Sequence, residues 1–99
     1  MPMVIIAGRS TVDPADRDRY VEAHQDMVRR ARNAPGCLDV AITADPLDPA
    51  RVNVMERWDS QEHLDAWRAV ADPPQTGIEP STVDVLLYEV SDVRPPFGD

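Results

Sequence analysis

The sequence contains no lysine, and all ten of its cationic side chains are arginine. This absence excludes Schiff-base chemistry and the lysine of a phosphate-binding loop. Cys37 is the single cysteine, so the chain has neither an internal disulfide nor a cysteine-rich metal site. His24 and His63 are the only histidines, and with so few nitrogen and sulfur ligands we expect no metal site.

Long apolar runs and an excess of positive charge are also missing. No run approaches the ~20 apolar residues that a membrane-spanning helix needs. The formal net charge is −8 and no basic stripe is present, which argues against a nucleic acid or an anionic membrane as a partner. Residues 1–6 show neither a basic region nor a cleavage signal, so we expect a cytoplasmic protein.

The length of 99 residues predicts one domain, 1–99, with a core over about 3–92 and an extended C-terminal tail at 93–99. Alternating or β-branched apolar residues predict four strands, at 3–12, 37–44, 51–58 and 82–90. Two segments with apolar residues at three- and four-residue spacings predict helices between them.

The predicted helices have recognisable ends. The first runs from Pro14 to Asn33, with Asp13 as its N-cap. The second begins after residue 59 or 60, because Asp59 and Glu62 have the spacing of a capping box, and it ends at residues 72–74.

The element order β-α-β-β-α-β has few compact arrangements. Right-handed crossovers place both helices on one face of a four-stranded antiparallel sheet, which predicts a ferredoxin-like α+β domain. The strands carry apolar side chains on both faces, for example Val4 and Ile6 on one and Met3 and Ile5 on the other. A solvated face would be more polar. We therefore expect an isologous homodimer in which two sheets pack face to face.

Three segments resemble the antibiotic biosynthesis monooxygenase family. They are a glycine-x-leucine at the start of the second strand (35–40), an Asp-Pro turn (45–49), and a Glu-x-Trp at the end of the third strand with a helix directly after it (56–64). The resemblance extends over about residues 3–92. It implies a dimeric α+β barrel, in agreement with the element order.

The resemblance implies a monooxygenase that uses dioxygen, has no metal or flavin cofactor, and acts on a small aromatic substrate such as a quinol, an anthrone or a polyketide-like ring. In such a reaction the substrate is ionised to an enolate or phenolate and itself supplies the electrons to dioxygen. The site therefore needs a dry pocket of aromatic size, a proton acceptor, and donors that hold the anion.

Candidates for these roles lie mainly on the apolar faces of the predicted helices. His24 is the predicted proton acceptor, with Tyr20 and Trp67 as the other catalytic candidates and residues 73–81 as a lid. Each of these three side chains also has a structural interpretation, as part of the core. Further residues are predicted to bind the substrate, including two arginines that could neutralise an anion. These are His63, Arg9, Arg57, Met27 and Leu64.

The residue at position 67 supports an alternative. Many family members have a histidine about there, so Trp67 favours a non-catalytic dimeric domain that binds a small ligand or acts in stress. A tryptophan in this part of the helix is also similar to a haem-degrading branch of the family. That branch needs a later histidine, where this chain has Gly77, and an asparagine in the first strand, where residues 3–9 have none. Haem chemistry is therefore disfavoured.

Overall fold

The computed structural model describes residues 2–98; Met1 and Asp99, the ends of the predicted domain and tail, lie outside them. The described residues form four strands and three helices. In chain order these are β1 (Met3–Thr11), α1 (Arg17–Ala23), α2 (Gln25–Arg32), β2 (Cys37–Ala44), β3 (Arg51–Trp58), α3 (Gln61–Arg68) and β4 (Thr82–Val90). The bounds of β2, β3 and β4 agree with the prediction, and β1 ends at Thr11 rather than Val12.

The four strands form one antiparallel sheet in the order β2-β3-β1-β4. Helices α1 and α2 lie over β2, and α1 and α3 lie over β3. This arrangement confirms the ferredoxin-like α+β fold that the element order predicted. The two outer strands of the sheet are β2 and β4.

The core lies between the sheet and the helices. Val4 and Ile6 of β1 point into it, as do Val40 of β2 and Trp58 of β3. The helices contribute further side chains, Ala31, Leu64 and Trp67. Because directly paired residues share a face, the alternate residues of the same strands form the opposite, open face of the sheet.

The first helical region differs from the prediction at its start. It begins at Arg17 rather than Pro14, because the carboxylate of Asp13 accepts the N–H of Ala15 at 2.9 Å and holds a local turn. An aspartate that binds the backbone two residues further on favours such a turn over a helix.

The same region is divided at His24, so the prediction of one continuous helix was wrong. The backbone N–H of His24 donates to the carbonyl of Val21 at 3.1 Å, which is a tighter turn than the α-helical one. The carbonyl oxygen of Tyr20 is instead 2.8 Å from Nδ1 of the His24 ring. A side chain that enters the backbone hydrogen-bond ladder interrupts a helix in this way.

Helix α3 is capped by Ser60, whose hydroxyl accepts the backbone N–H of His63 at 3.2 Å. Asp59, the alternative cap in the sequence, instead lies one residue before the cap and contacts the His63 ring. The predicted capping box with Glu62 is therefore replaced by a serine cap and a side-chain pair.

Candidate functional site

His24 is held by the chain in a defined orientation. Its Nδ1 lies 2.8 Å from the carbonyl oxygen of Tyr20. Because a carbonyl oxygen only accepts, Nδ1 must carry the proton and donate it, and the neutral imidazole then has its lone pair on Nε2. Within residues 2–98 the His24 ring makes no other hydrogen bond. The free nitrogen is thus the one that can accept a proton.

A cavity of about 440 Å³ lies beside His24, and its wall is completed by Tyr20 and residues 73–80. The Tyr20 and His24 rings are 4.6 Å apart between centroids, with their planes tilted by 50°. Burial raises the pKa of Tyr20, so its phenol stays protonated at neutral pH and can donate. The cavity therefore combines one proton acceptor with one hydroxyl donor.

Residues 73–80 follow α3 and form one side of this cavity. Pro73, Pro74 and Pro80 restrict the backbone of the segment, whereas Gly77 has a φ of +72° in the left-handed region. The hydroxyl of Thr76 accepts the backbone N–H of Ile78 at 3.0 Å and shapes the turn around Gly77. The predicted lid segment is thus beside the predicted proton acceptor.

Trp67 lies elsewhere, at a second cavity of about 320 Å³ next to α3, which His63 also lines. Trp67 is only 8% exposed and stacks on Trp58, with ring centroids 6.2 Å apart. The guanidinium carbon of Arg30 lies 5.7 Å from its ring centroid. The three predicted catalytic residues are therefore divided between two cavities.

The other substrate-binding candidates do not join His24. Leu64 has no exposed surface and belongs to the core, and Met27 packs against that core. Arg9 and Arg57 lie on the open face of the sheet, since both alternate with the buried residues of their strands. Arg9 lines a shallow cavity there with Asp84, its neighbour on β4.

One residue of interest was missed by the sequence analysis. Asp59 Oδ1 lies 2.6 Å from Nδ1 of His63. The hydrogen bond from His63 lowers the pKa of the Asp59 carboxyl, so the carboxylate is ionised and accepts. The four-residue separation of the two side chains, which makes them neighbours on a helix, is the signal that could have found this pair.

The described residues contain no group of three or more histidine, cysteine, aspartate or glutamate side chains that could hold a metal ion. Cys37 is a free, half-buried thiol that packs against the core. Burial, followed by the charge of Asp39, raises its pKa, and a thiol in this state is a poor nucleophile.

A sequence profile described as antibiotic biosynthesis monooxygenase matches residues 3–72, well over half of the chain. The chain belongs to this family. The match extends through β1, the helices and the β2–β3 hairpin, and it includes His24, Asp59, His63 and Trp67. The resemblance found in the sequence is thus confirmed.

Solved structures share the fold at low sequence identity. A conserved Bacteroides thetaiotaomicron protein, described as a possible oxidoreductase, has a TM-score of 0.75 at 17% identity and covers 90% of this chain and 98% of its own. A candidate antibiotic biosynthesis monooxygenase from Nitrosomonas europaea has a TM-score of 0.69 at 18% identity, with 90% of each chain covered. A Mycobacterium tuberculosis protein has a TM-score of 0.63 at 22% identity, covering 97% of this chain and 99% of its own.

Among curated proteins, none matches this chain. Over residues 2–98, no helix has the length and apolar character needed to cross a membrane.

Proposed function

We propose that this family member is a monooxygenase that oxidises a small aromatic substrate with dioxygen and without a metal or flavin cofactor. The substrate class is a quinol, an anthrone or a related polyketide-like ring. The observation that carries the proposal is the bond between His24 Nδ1 and the Tyr20 carbonyl, which leaves Nε2 as a proton acceptor beside a cavity. Membership of the family supports the reaction type.

In the proposed reaction, His24 Nε2 accepts a proton from the hydroxyl or the activated methylene of the bound ring. The resulting phenolate or enolate supplies electrons to dioxygen. For an anthrone-like substrate, the methylene carbon loses two hydrogens and gains one oxygen atom as a carbonyl, and the second oxygen leaves as water. Tyr20 donates a hydrogen bond to the substrate oxygen as its charge develops, and residues 73–80 form one side of the substrate site.

The test is oxygen uptake with a panel of anthrones and hydroquinones. We expect His24→Gln to lower kcat/KM by about 100-fold or more, because glutamine cannot accept the proton. The matched control is Glu22→Gln, an exposed position of α1 two residues away. Equal uptake by wild type and His24→Gln, with both folded by circular dichroism, would refute the assignment of the base.

A second candidate function is a non-catalytic domain that binds a small ligand or serves in stress. The observation that favours it is the position of Trp67, which packs in the core against Trp58, whereas the family resemblance implies a histidine about there. This function predicts saturable binding of aromatic compounds without any oxygen uptake, so the same panel separates the two.

We further propose that the protein is a cytoplasmic homodimer. The dimer is supported by apolar side chains of β4 that the chain itself leaves uncovered, with Leu86 58% and Tyr88 50% exposed. Both lie on the open face of the sheet, where Leu86 pairs with Ala7 of β1 and Tyr88 pairs with Ile5. A second copy placed against this face would bury them.

A further inference from the structure

The cavity beside α3 is separate from the cavity at His24, and no residue lines both. Its walls are almost entirely apolar, and its volume of about 320 Å³ is at the small end of ligand pockets. The one side chain in its wall whose ring nitrogen can accept a hydrogen bond is His63, since the indole N–H of Trp67 only donates. The wall is formed by Ala34, Pro35, His63, Ala66, Trp67 and Val70.

His63 is oriented by a carboxylate rather than a carbonyl. Asp59 Oδ1 is 2.6 Å from Nδ1. An ionised carboxylate only accepts, so Nδ1 carries the proton and the neutral ring has its lone pair on Nε2. Within the described part of the chain, His63 Nε2 has no hydrogen-bond partner. In its neutral form the ring can therefore accept a hydrogen bond at Nε2 from a molecule in the cavity.

The backbone of Gly36 packs closely against the His63 ring. Gly36 has a φ of +81°, and a Cβ built there would lie 2.2 Å from His63 Nδ1. The carbonyl of Gly36 accepts the backbone N–H of Asp59 at 2.9 Å, which fixes the distance between the two segments. Only glycine permits this close approach, so the imidazole packs against the backbone of Gly36 while Nδ1 contacts Asp59.

The aromatic wall of the cavity is equally fixed. Trp67 stacks on the fully buried Trp58, and Trp58 Nε1 in turn donates to Glu56 Oε1 at 3.0 Å. Arg30, which lies near the Trp67 ring, is held by the carbonyl of Ala71 at 2.8 Å. Trp67 is only 8% exposed, so it presents a small patch of ordered indole surface to the cavity, and a ligand that packs there does not have to order it.

We propose that the cavity between His63 and Trp67 is a second binding site, which takes a small uncharged phenol. Its ring packs against Trp67 and Val70, and its hydroxyl donates to His63 Nε2. The chemistry selects this class: an aromatic wall favours a ring, one acceptor favours one donor, and apolar walls penalise a charged ligand. The Asp59 carboxylate acts as a positioning group and does not touch the ligand.

The test uses phenol and toluene, which have nearly the same shape but differ in the hydroxyl donor. Both are titrated into isotope-labelled protein, and the shift of the Trp67 indole N–H signal is followed by NMR, with the Trp58 signal as an internal reference. We expect saturable shifts of Trp67 and of the amides around Ala66. In His63→Phe, the ratio of phenol affinity to toluene affinity should fall about three- to tenfold, while toluene still binds.

Variants of Asp59 test whether the orientation of the His63 ring matters, because they leave His63 itself in place. Asp59→Ala should lower the same affinity ratio, whereas Asp59→Asn should keep it, because the amide oxygen can still accept from Nδ1. Either of two results would overturn the proposal. One is an absence of shifts at Trp67 up to the solubility limit of both ligands. The other is an affinity ratio that His63→Phe leaves unchanged.

Discussion

Strands β1, β2 and β3 differ from β4 in how the rest of the chain covers them. Each of the first three has buried residues, such as Val4, Val40 and Trp58, whereas no residue of β4 is buried. Val83 and Leu87 on its helix-facing side are exposed, as are Leu86 and Tyr88 on its open side. One chain thus completes its core over three strands and leaves the fourth uncovered, and there a second copy is expected.

The connections follow the same division. The turn between β2 and β3 is held by Asp45, which accepts the backbone N–H groups of Leu47 and Asp48 at 3.0 and 2.8 Å. Arg17 of α1 also donates to the carbonyl of Asp48 at 2.9 Å. The segment before β4, residues 73–80, instead forms the side of the cavity at His24. The proposed reaction therefore takes place beside the segment that leads into β4, the strand that the chain leaves uncovered.

The largest effect is expected in the covered part, from Leu64→Ala. Leu64 has no exposed surface, so its truncation removes apolar contacts and leaves a cavity, at a cost of about 2–5 kcal/mol in the free energy of unfolding. Urea unfolding measures this loss. The matched control is Leu47→Ala, at a turn residue that is 91% exposed, which should stay within about 0.5 kcal/mol of wild type. Similar losses of unfolding free energy in both variants would contradict the distinction between the covered core and the exposed parts of the chain.

The second effect concerns β4. Leu86→Arg places a charge on the open face, where an apolar partner surface is proposed, and should convert a dimer into a monomer of 11.0 kDa. Sedimentation at micromolar concentration reports the mass. Leu47→Arg makes the same chemical change at the turn and should leave the dimer intact. A wild-type protein that sediments as a stable monomer would remove the reason for treating β4 as an interface.

The regular parts of this fold were predictable because alternation marks them directly. Strands β2 and β3 are bounded by turn residues, and their alternation reports which face is buried. The break at His24 could not be seen, because periodicity records the face of a helix and not which group occupies the Tyr20 carbonyl. The predicted grouping of His24 with Trp67 did not form, since Trp67 packs on Trp58 in the core.

The cavities were harder to predict than the strands, and the reason is physical. The wall at His24 depends on the path of residues 73–80, which have no hydrophobic period. The second cavity depends on Gly36, which comes from the segment before β2, and on Asp59, which lies outside α3 next to its cap. Local patterns report the face and the ends of each element, whereas a cavity depends on how elements meet.

The smallest effect is expected at the β2–β3 turn, through pH. Hydrogen bonds from Asn53 and from the backbone of Asp48 and Leu47 lower the pKa of Asp45 from its ordinary value of 3.8 to about 2. A carboxyl with a lowered folded pKa stabilises the fold above its unfolded pKa, and it loses that contribution as the pH falls through the folded value. The Asp45 carboxylate should therefore stabilise the turn fully above pH 3.8, and this stabilisation should be lost progressively as the pH falls towards about 2.

Asp45→Asn tests this at both ends of the range. The urea midpoint of the variant should be lower than that of wild type at pH about 7, and the two should converge at pH about 2, where Asp45 of the wild type is being protonated. Glu22→Gln, which removes one carboxylate at an exposed position of α1, serves as the matched control. A difference between wild type and Asp45→Asn that is the same at both pH values would mean that the Asp45 charge does not stabilise this turn. The β2–β3 turn would then be stabilised by the hydrogen bonds of Arg17 and by packing, without a contribution from the Asp45 charge.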